Sequence, residues 1–522
     1  MKRMLPIGIQ DFKKLRELNA VYVDKTEIIH RLITEGRYYF LSRPRRFGKS
    51  LLISTLNEIY EGNQELFEGL FIYDKIEWKK RPVIRIDFTK GKFKDIGLKA
   101  AIVKILLDNA AKYEIQLRDE EQLVKENLGN ILGELITKLH EKTGEKVVIL
   151  IDEYDKPIID YLTELDKAEE NREILRDFYG IIKPMDPYTE FVMLTGVTKF
   201  SKVSIFSELN NLEDITTSSS YSTIVGLTKE EIDKNFQDYE KDVLETLNLS
   251  KEVFDGELES WYDGYSWDNR TSLFNPFSVL NFFKTREFKN YWFATGTPTF
   301  LVNFIRDNGV DPEELEKAVV DSIFFDKFDL RDLDIKSLMF QTGYLTIKRV
   351  DEDGFYVLDY PNKEVRDSFT GHLLSGLSGK DLSSMSNITK NLLTAFRKND
   401  MESFQDNINS LFASIPNQIF IKNREAYYHS LVFLTIKMVG VYIDAEISTN
   451  RGRLDAFIKT KNYLYIVEFK MLPVTAKEAI TQIKEKGYAD PHKADKRTKF
   501  MVGVSFDPGS KKFQDIEVEE FF

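Results

Sequence analysis

The feature that most constrains the fold of this 522-residue chain is the run Ser42-Arg43-Pro44-Arg45-Arg46-Phe47-Gly48-Lys49-Ser50. It follows the apolar run Tyr38–Leu41 and precedes a stretch, Ser50 to Tyr60, with helical spacing of apolar residues. A Gly-Lys-Ser sequence between a strand and a helix allows backbone N–H groups to surround phosphates, while the Lys and the hydroxyl reach the terminal phosphates and Mg²⁺. The run therefore predicts a phosphate loop, although Arg43 replaces the first Gly of the usual pattern.

A second segment supplies acidic partners for this loop. The apolar run Val147–Ile151 is followed directly by Asp152 and Glu153. We expect Asp152 to hold Mg²⁺ through water and Glu153 to orient or deprotonate an attacking water. Alone, each motif also fits a basic turn or a strand with a solvated acidic end, but their order along one α/β domain favours an Mg²⁺-dependent ATP site.

The expected nucleotide contacts extend beyond these acids. The loop arginines fit either phosphate contacts or contacts with a neighbouring domain, although arginines in loops are often simply solvated. Thr195 and Lys199, after the strand Phe191–Thr195, are expected to sense the γ-phosphate, with a plain turn as the alternative. Ser50 and Asp152 are the expected Mg²⁺ ligands. The predicted nucleotide-binding residues are Arg45, Arg46, Phe47, Gly48, Lys49, Ser50, Leu51, Asp152, Thr195 and Lys199.

Near the other end of the chain, two strands carry carboxylates. Asp455 lies in Gly452–Ile458 and Glu468 in Tyr463–Lys470, so a hairpin brings both to one end of a small sheet. The strand period of two puts Lys470 on the same face as Glu468. Carboxylates together with the carbonyl of Phe469 suit Mg²⁺ or Mn²⁺, and a neighbouring Lys can activate water. The combination indicates phosphodiester hydrolysis, with solvated edge-strand acids as the alternative.

Further residues around this hairpin fit nucleic-acid chemistry. Glu425, on a helix ahead of the hairpin, is a further candidate metal ligand, and Gln482 on a later helix can hydrogen-bond a phosphate. Six Lys or Arg against three acids between Lys484 and Lys499 form a local basic patch. Because the net charge is −12, DNA binding is expected only locally, at this end of the chain.

The pattern along the chain divides it into five parts. Alternating strands and helices up to Gly226 predict a parallel sheet covered on both faces, and helices followed by a hairpin predict a winged-helix-like module. A Ser- and Gly-rich stretch, Ser375 to Ser386, is the best linker candidate. The parts are 1–226 (phosphate-loop domain), 227–335 (helical lid), 336–380 (winged-helix-like), 381–417 (helical linker) and 418–522 (compact αβ domain).

Composition excludes several classes of protein. No apolar run reaches the roughly 18 residues of a membrane span, and the N-terminal residues lack a signal-peptide core, so we expect a cytoplasmic protein without membrane contact. There is no cysteine, so any metal must be held by oxygen or imidazole ligands. The oligomeric state, including whether the chain forms an oligomer, is left open.

At these motifs the chain resembles a bacterial and archaeal family with an N-terminal AAA-ATPase-like domain and a C-terminal PD-(D/E)XK nuclease-superfamily domain. The shared strings are Leu5–Gly8, Tyr22–Thr26, Ser42–Ser50, Asp152–Asp155 and Asn210–Asp214. The resemblance implies an α/β fold with a P-loop NTPase sheet, a helical and winged-helix-like middle region and a restriction-endonuclease-like C-terminal αβ domain. It also implies association with mobile elements or defence.

For the nuclease-like domain, the resemblance implies metal ligands at Asp455 and Glu468, with Glu425 on the first helix and Lys470 catalytic. The favoured hypothesis is an ATPase whose nucleotide state controls a DNA nuclease. The alternative is a nucleotide-dependent switch that binds a partner or nucleic acid and carries an inactive nuclease-like domain.

Overall fold

The structure is a computed structural model that describes residues 2–199, 209, 211–293, 299–326, 331, 333–413, 424–440, 444–449, 454–488, 495–507 and 509–521. The side chains of residues 326, 424–427, 429, 444–449 and 454–455 lie outside this description. The chain forms two compact units. The first comprises Met1–Gly296 and Lys317–Glu364, and the second comprises Thr297–Glu316 and Val365–Phe522.

The first unit is built on a five-stranded sheet with the order β2-β3-β4-β1-β5, in which every neighbouring pair is parallel. The two central strands that precede the predicted motifs, β1 and β3, are buried along their whole length, as continuous apolar runs in parallel sheets require. The strands are β1 (Tyr38–Ser42), β2 (Val83–Asp87), β3 (Val147–Asp152), β4 (Thr189–Gly196) and β5 (Glu213–Asp214).

Helices cover this sheet and continue beyond it. The phosphate loop leads directly into α3, and Asn127 caps α7 by accepting a hydrogen bond from the N–H of Asn130. The helices between the strands and ahead of them are α1 (Phe12–Glu17), α2 (Thr26–Glu35), α3 (Lys49–Tyr60), α4 (Phe93–Ile96), α5 (Leu98–Lys112), α6 (Glu120–Leu123), α7 (Leu128–Thr143), α8 (Lys156–Ile159) and α9 (Leu165–Gly180).

The middle region of the first unit is helical, and it ends in a small antiparallel sheet with the order β6-β8-β7. Thr228 and Glu231 form a capping box at the start of α10. The elements are α10 (Lys229–Asn235), α11 (Gln237–Leu247), α12 (Lys251–Tyr262), α13 (Pro276–Thr285), β6 (Ala318–Val320), α15 (Ile335–Thr342), β7 (Thr346–Val350) and β8 (Tyr356–Asp359).

The second unit contains α14 (Thr299–Asn308), most of α16 (Lys363–Ser378), α17 (Leu382–Lys398), α18 (Met401–Ala413), α19 (Arg424–Gly440) and α20 (Ala476–Glu485). Its mixed sheet has the order β13-β12-β11-β10-β9 and consists of β9 (Asp444–Thr449), β10 (Leu454–Lys459), β11 (Tyr463–Met471), β12 (Thr498–Asp507) and β13 (Lys512–Phe521). The β10–β11 pair is antiparallel and the β11–β12 pair, joined through α20, is parallel.

The predicted fold class is confirmed by these sheets and the helical region between them. The Ser- and Gly-rich stretch Ser375 to Ser386 is largely helical instead of an extended linker, because α16 reaches Ser378 and α17 starts at Leu382 under an Asp381 cap. The five-part division of the chain stays a prediction. Within the described part of the chain, no helix has the length and hydropathy that crossing a bilayer requires.

Candidate functional site

The phosphate loop lies between β1 and α3, at the carboxyl edge of the parallel sheet. Gly48 has a φ of 101°, a left-handed conformation that favours glycine, and it is the N-cap of α3. Lys49 is buried, and its Nζ donates hydrogen bonds to the carbonyl oxygens of Arg43 (2.7 Å) and Pro44 (3.0 Å). Burial lowers the pKa of Lys49, although Glu153 and Asp152 oppose that effect.

The acidic pair lies at the end of β3, two strands from the loop. Asp152 is buried, and its Oδ1 accepts hydrogen bonds from Thr195 Oγ1 (2.7 Å) and from the backbone N–H of Glu153 (3.1 Å). Glu153 has a φ of 51°, a conformation that costs energy in a non-glycine residue and is concentrated at functional positions. Burial raises the pKa of the Glu153 carboxyl, with a further contribution from Asp152.

These groups meet in one cleft of about 490 Å³. Most predicted nucleotide-binding residues line it, namely Arg45, Arg46, Gly48, Lys49, Ser50, Leu51 and Asp152, together with Glu153. The cleft is also lined by residues that sequence reasoning missed, among them Arg85, Asp87, Thr89 and Lys156. The polar residues of β2 belong to no recognisable sequence motif, so the sequence does not mark them as site residues. The parallel register pairs Asp87 with Asp152, so a known sheet order would have placed the end of β2 at the cleft.

Three predicted nucleotide-binding side chains, all within the described part of the chain, do not line this cleft. Phe47 is buried against the rings of Tyr265 and Trp267, and it lines a smaller apolar cavity that adjoins the cleft. Thr195 is fully buried and donates to Asp152 instead of facing the cleft. The Nζ of Lys199 forms an ion pair with Asp214 at 2.7 Å, which holds that ammonium at β5.

Asp155 fixes the loop that follows β4. This buried carboxylate accepts hydrogen bonds from the N–H of Val197 (3.0 Å), the N–H of Thr198 (2.6 Å) and Thr198 Oγ1 (2.6 Å). Burial raises the pKa of Asp155, and the bonds from Thr198 oppose that rise. Within the Asp152–Asp155 string, Asp155 therefore positions a loop, while Asp152 and Glu153 line the cleft.

Residues that follow β4 in the sequence of the first unit contact the phosphate loop. The buried Arg43 guanidinium stacks 4.2 Å from the Trp267 ring centroid and donates to the carbonyl of Thr216 at 2.7 Å. Trp292 Nε1 donates to the carbonyl of Arg45 at 3.0 Å. Gly343 lies against Pro44 so closely that a Cβ there would come within 2.5 Å of the proline ring. Arg43, which replaces the usual glycine, and its neighbours Pro44 and Arg45 are thus contacted by later parts of the first unit.

The second unit supplies a different constellation, on β10 and β11. The antiparallel register places Asp455 directly opposite Glu468, so both residues share one face of the sheet. Glu468 is fully buried, and its Oε1 accepts a hydrogen bond from Lys470 Nζ at 2.5 Å. Among the described residues, no group hydrogen-bonds its buried Oε2. A buried carboxylate oxygen without a partner is costly, and a divalent cation would satisfy it.

Three further predictions concern the surroundings of Glu468. The side chains of Asp455 and Glu425 lie outside the described residues, although α19 carries Glu425 as expected. Gln482 is on α20, and its Nε2 is buried without a hydrogen-bond partner among the described residues. The described side chains include no cluster of three acidic or histidine groups able to hold a metal. The set of metal ligands at this site therefore stays a prediction.

Comparison with known proteins agrees with the presence of both domains. A family model described as a predicted AAA-ATPase matches residues 6–206, and one described as the PD-(D/E)XK nuclease superfamily matches residues 423–515. A protein of Azotobacter chroococcum mcd 1, described as an uncharacterized protein in the vnfD 5' region, is 39% identical over 529 residues, 99% of this chain and 99% of that protein. No solved structure matches the chain. The chain belongs to the family that this relative represents, with an AAA-ATPase-like N-terminal domain and a PD-(D/E)XK nuclease-superfamily C-terminal domain.

Proposed function

We propose that this protein binds and hydrolyses ATP with Mg²⁺, and that the nucleotide state controls metal-dependent DNA cleavage by its C-terminal domain. The observation that carries the proposal is the position of Glu364. Its buried carboxylate is bonded to α13, whose first residues line the nucleotide cleft, and to Trp292, whose indole contacts the phosphate loop. Glu364 belongs to α16, the helix that begins in the first unit and continues into the second.

Nucleotide binding follows from the groups that face the cleft. Lys49 uses two of its three donors on loop carbonyls, which leaves one for a phosphate oxygen. The exposed side chains of Arg45 and Arg46 extend the positive surface along the loop. Asp152 has one carboxylate oxygen engaged by Thr195, and its other oxygen and the Ser50 hydroxyl fit the Mg²⁺ shell. The bound Mg²⁺ would neutralise charge that develops on the terminal phosphate.

The base of the nucleotide fits an apolar cavity of about 100 Å³ that adjoins the cleft. Pro6, Leu51 and Leu280 line both spaces, so a ligand can extend from one into the other. Lys25 also lines the cavity, but its Nζ is held by Glu231 at 2.6 Å. The remaining wall is mainly apolar, as in most cofactor sites, which suits the face of a purine.

Glu153 is the proposed base for hydrolysis. Its raised pKa brings the carboxylate closer to the working pH, where a base removes a proton more effectively. It follows Asp152 directly, so the metal shell and the attacking water would lie side by side. Glu153→Gln keeps the size and hydrogen bonding of the side chain while it removes the base.

The C-terminal site fits hydrolysis of a phosphodiester. Glu468 offers a buried oxygen without a partner, and Asp455 is expected beside it from the strand register. A divalent cation there would activate the phosphate and the attacking water. Lys470 lies against Glu468, where its ammonium can position that water, and Gln482 has a donor available for a phosphate. Glu425 completes the proposed set, with Mg²⁺ or Mn²⁺ as the metal and DNA as the substrate.

Control of cleavage rests on how Glu364 is bonded. Its Oε1 accepts from the N–H of Trp292 at 2.6 Å, and the indole of Trp292 donates to the loop carbonyl of Arg45. Its Oε2 accepts from Ser278 Oγ at 2.7 Å, on α13, whose first residues Pro276 and Phe277 line the cleft. A nucleotide that displaces the loop or α13 must therefore strain or move the start of α16.

The test is DNA cleavage by the full chain with Mn²⁺, with and without ATP. We expect ATP to change the rate of the wild type about tenfold, which corresponds to a modest allosteric coupling. Lys49→Ala should remove the effect of ATP, and Glu153→Gln should bind ATP without hydrolysing it. Glu364→Ala should still bind ATP and cleave DNA but ignore the nucleotide, while Glu257→Ala, an exposed acid on α12, should behave as wild type.

The outcomes separate the parts of the proposal. Cleavage that is the same with and without ATP would reject nucleotide control. Persistent ATP hydrolysis by Glu153→Gln would reject that residue as the base. ATP binding without cleavage of any DNA form, with either Mg²⁺ or Mn²⁺, would favour a nucleotide-dependent switch with an inactive nuclease-like domain.

A further inference from the structure

Arg85 is a cation in the nucleotide cleft that belongs to neither sequence motif. It lies on β2, the outer strand of the parallel sheet, and lines the cleft together with Lys49, Ser50, Asp152 and Glu153. Its residue is partly buried, and the Nε atom is buried without a hydrogen-bond partner among the described residues. No ion pair reaches its guanidinium from the described part of the chain either.

The fold holds Arg85 firmly at this point. Asn109, a buried residue of α5, accepts a hydrogen bond from the N–H of Arg85 at 2.9 Å and donates to its carbonyl at 2.9 Å. The same amide donates to the carbonyl of Ile105 at 2.8 Å, which fixes the amide on its own helix. The Asn109 side chain thus makes the hydrogen bonds that a neighbouring strand would otherwise make with the edge of β2. Such a buried and fully bonded amide leaves the backbone of Arg85 little freedom.

The nearest acid on the same strand does not neutralise this cation. Asp87 is two residues further along β2 and therefore on the same face, but its Oδ1 accepts from the N–H of Thr89 (2.9 Å) and from Thr89 Oγ1 (2.5 Å). Its Oδ2 faces Lys90 at 3.8 Å. The carboxylate is thus engaged by the turn that follows β2, which leaves Arg85 as a partly desolvated cation directed to an external anion.

The charge of the cleft fits such an anion. Its cations exceed its carboxylates by two, with Arg45, Arg46, Lys49, Arg85 and Lys156 against Asp87, Asp152 and Glu153. A nucleoside triphosphate with one Mg²⁺ carries about two negative charges near neutral pH, so it balances this excess. Arginine suits a terminal phosphate because its planar donors match two phosphate oxygens at once.

The order of the strands indicates which end of a bound triphosphate lies nearest to Arg85. β2 adjoins β3, which ends in Asp152 and Glu153, whereas β1 and the phosphate loop lie two strands beyond β3. Arg85 therefore lies on the side of Asp152 and Glu153, which would hold the metal and the attacking water. Resting on the proposed nucleotide site, we infer that Arg85 contacts the terminal phosphate of a bound triphosphate and so makes the protein distinguish ATP from ADP.

The test compares the dissociation constants of the full chain for ATP and ADP in the presence of Mg²⁺. We expect Arg85→Ala to weaken ATP binding about 10- to 100-fold, the usual loss for a charge-assisted bond, and to change ADP binding less than about twofold. Arg85→Lys keeps the charge without the paired donors, so its loss should be intermediate. The matched control is Arg81→Ala, ahead of the same strand, because Arg81 is paired with Glu145 and Glu190 and is not in the cleft.

Equal weakening of ATP and ADP in both Arg85 variants would overturn the inference, since it would indicate general electrostatics or damage to the site. An unchanged preference for ATP would overturn it as well. If the wild type and Arg81→Ala bind neither nucleotide, the proposed nucleotide site itself fails, which is a different result from binding that ignores Arg85. Thermal unfolding of each variant, followed by circular dichroism, identifies any loss that comes from misfolding.

Discussion

The two candidate sites hold their lysines in opposite ways. In the first unit, Lys49 donates to two neutral carbonyl oxygens, those of Arg43 and Pro44, and the acids across the cleft are further away. In the second unit, Lys470 forms an ion pair with the buried Glu468 at 2.5 Å. One ammonium is therefore held by dipoles of its own loop, and the other is held by a carboxylate that the proposed chemistry also needs.

The difference indicates how each lysine becomes available. A phosphate competes easily with neutral carbonyls, because hydrogen bonds between two charged groups are roughly twice as strong as neutral ones. A metal bound by Glu468 would weaken the ion pair between that carboxylate and Lys470. We therefore expect metal to make this lysine more available, whereas the phosphate loop needs only its ligand.

The largest expected effect comes from the removal of Lys470. Lys470→Ala should lower metal-dependent DNA cleavage about 10³-fold or more while ATP binding is unchanged, because it removes the group that we propose to position the reacting water. Lys477→Ala, an exposed lysine of the neighbouring α20, is the control and should cleave as wild type does. Cleavage by Lys470→Ala at the wild-type rate would show that this lysine has only a structural ion pair.

The sequence predicts the strands of both sites well and their surroundings poorly. Asp152 and Glu468 follow apolar runs long enough to define a strand, and the period of two fixes the register of Lys470. By contrast, the role of Arg85 depends on β2 lying beside β3, and a sheet order is set by long-range packing that no local pattern contains. Thr195 and Lys199 illustrate the same limit, because partners on other strands, Asp152 and Asp214, occupy both side chains.

Arg43 provides a sharper test of the loop. Its guanidinium is buried, and two of its nitrogen atoms lack a hydrogen-bond partner among the described residues. The buried charge therefore carries a desolvation penalty that lowers the stability of the folded state. Burial lowers the pKa of Arg43 to about 9, opposed by Asp214 and Asp268, and the group still stays charged at neutral pH. We infer that the side chain acts mainly by filling the space against Trp267.

Replacement of Arg43 should therefore depend on volume more than on charge. Arg43→Ala should lower the free energy of unfolding of the first unit by about 3 kcal/mol, because it leaves a cavity under the loop. Arg43→Met fills that space and should lower it by about 1 kcal/mol or less. Urea denaturation followed by tryptophan fluorescence measures both. Equal losses would show that the bonds to the carbonyls of Ser42 and Thr216 dominate instead.

The smallest expected effect concerns the link between the loop and α16. Burial raises the pKa of Glu364 from 4.5 to about 7, although the bonds from Ser278 and the N–H of Trp292 oppose the rise. The titratable groups that face it are the tyrosines Tyr262, Tyr265 and Tyr291, which stay neutral over this range. Between pH 4.5 and 7 the folded state therefore holds a proton at Glu364 that the unfolded state has lost.

Because Glu364 binds more protons in the folded state in that window, its own contribution to stability must fall as the pH rises from about 4.5 to about 7. Glu364→Gln keeps the shape and cannot ionise, so the difference in unfolding free energy between variant and wild type should grow by about 2 to 3 kcal/mol across the window. All other groups titrate in both proteins and cancel in that difference. A difference that does not change with pH would mean that Glu364 stays ionised in the folded protein, so that its bonds to Ser278 and Trp292 hold a permanent charge.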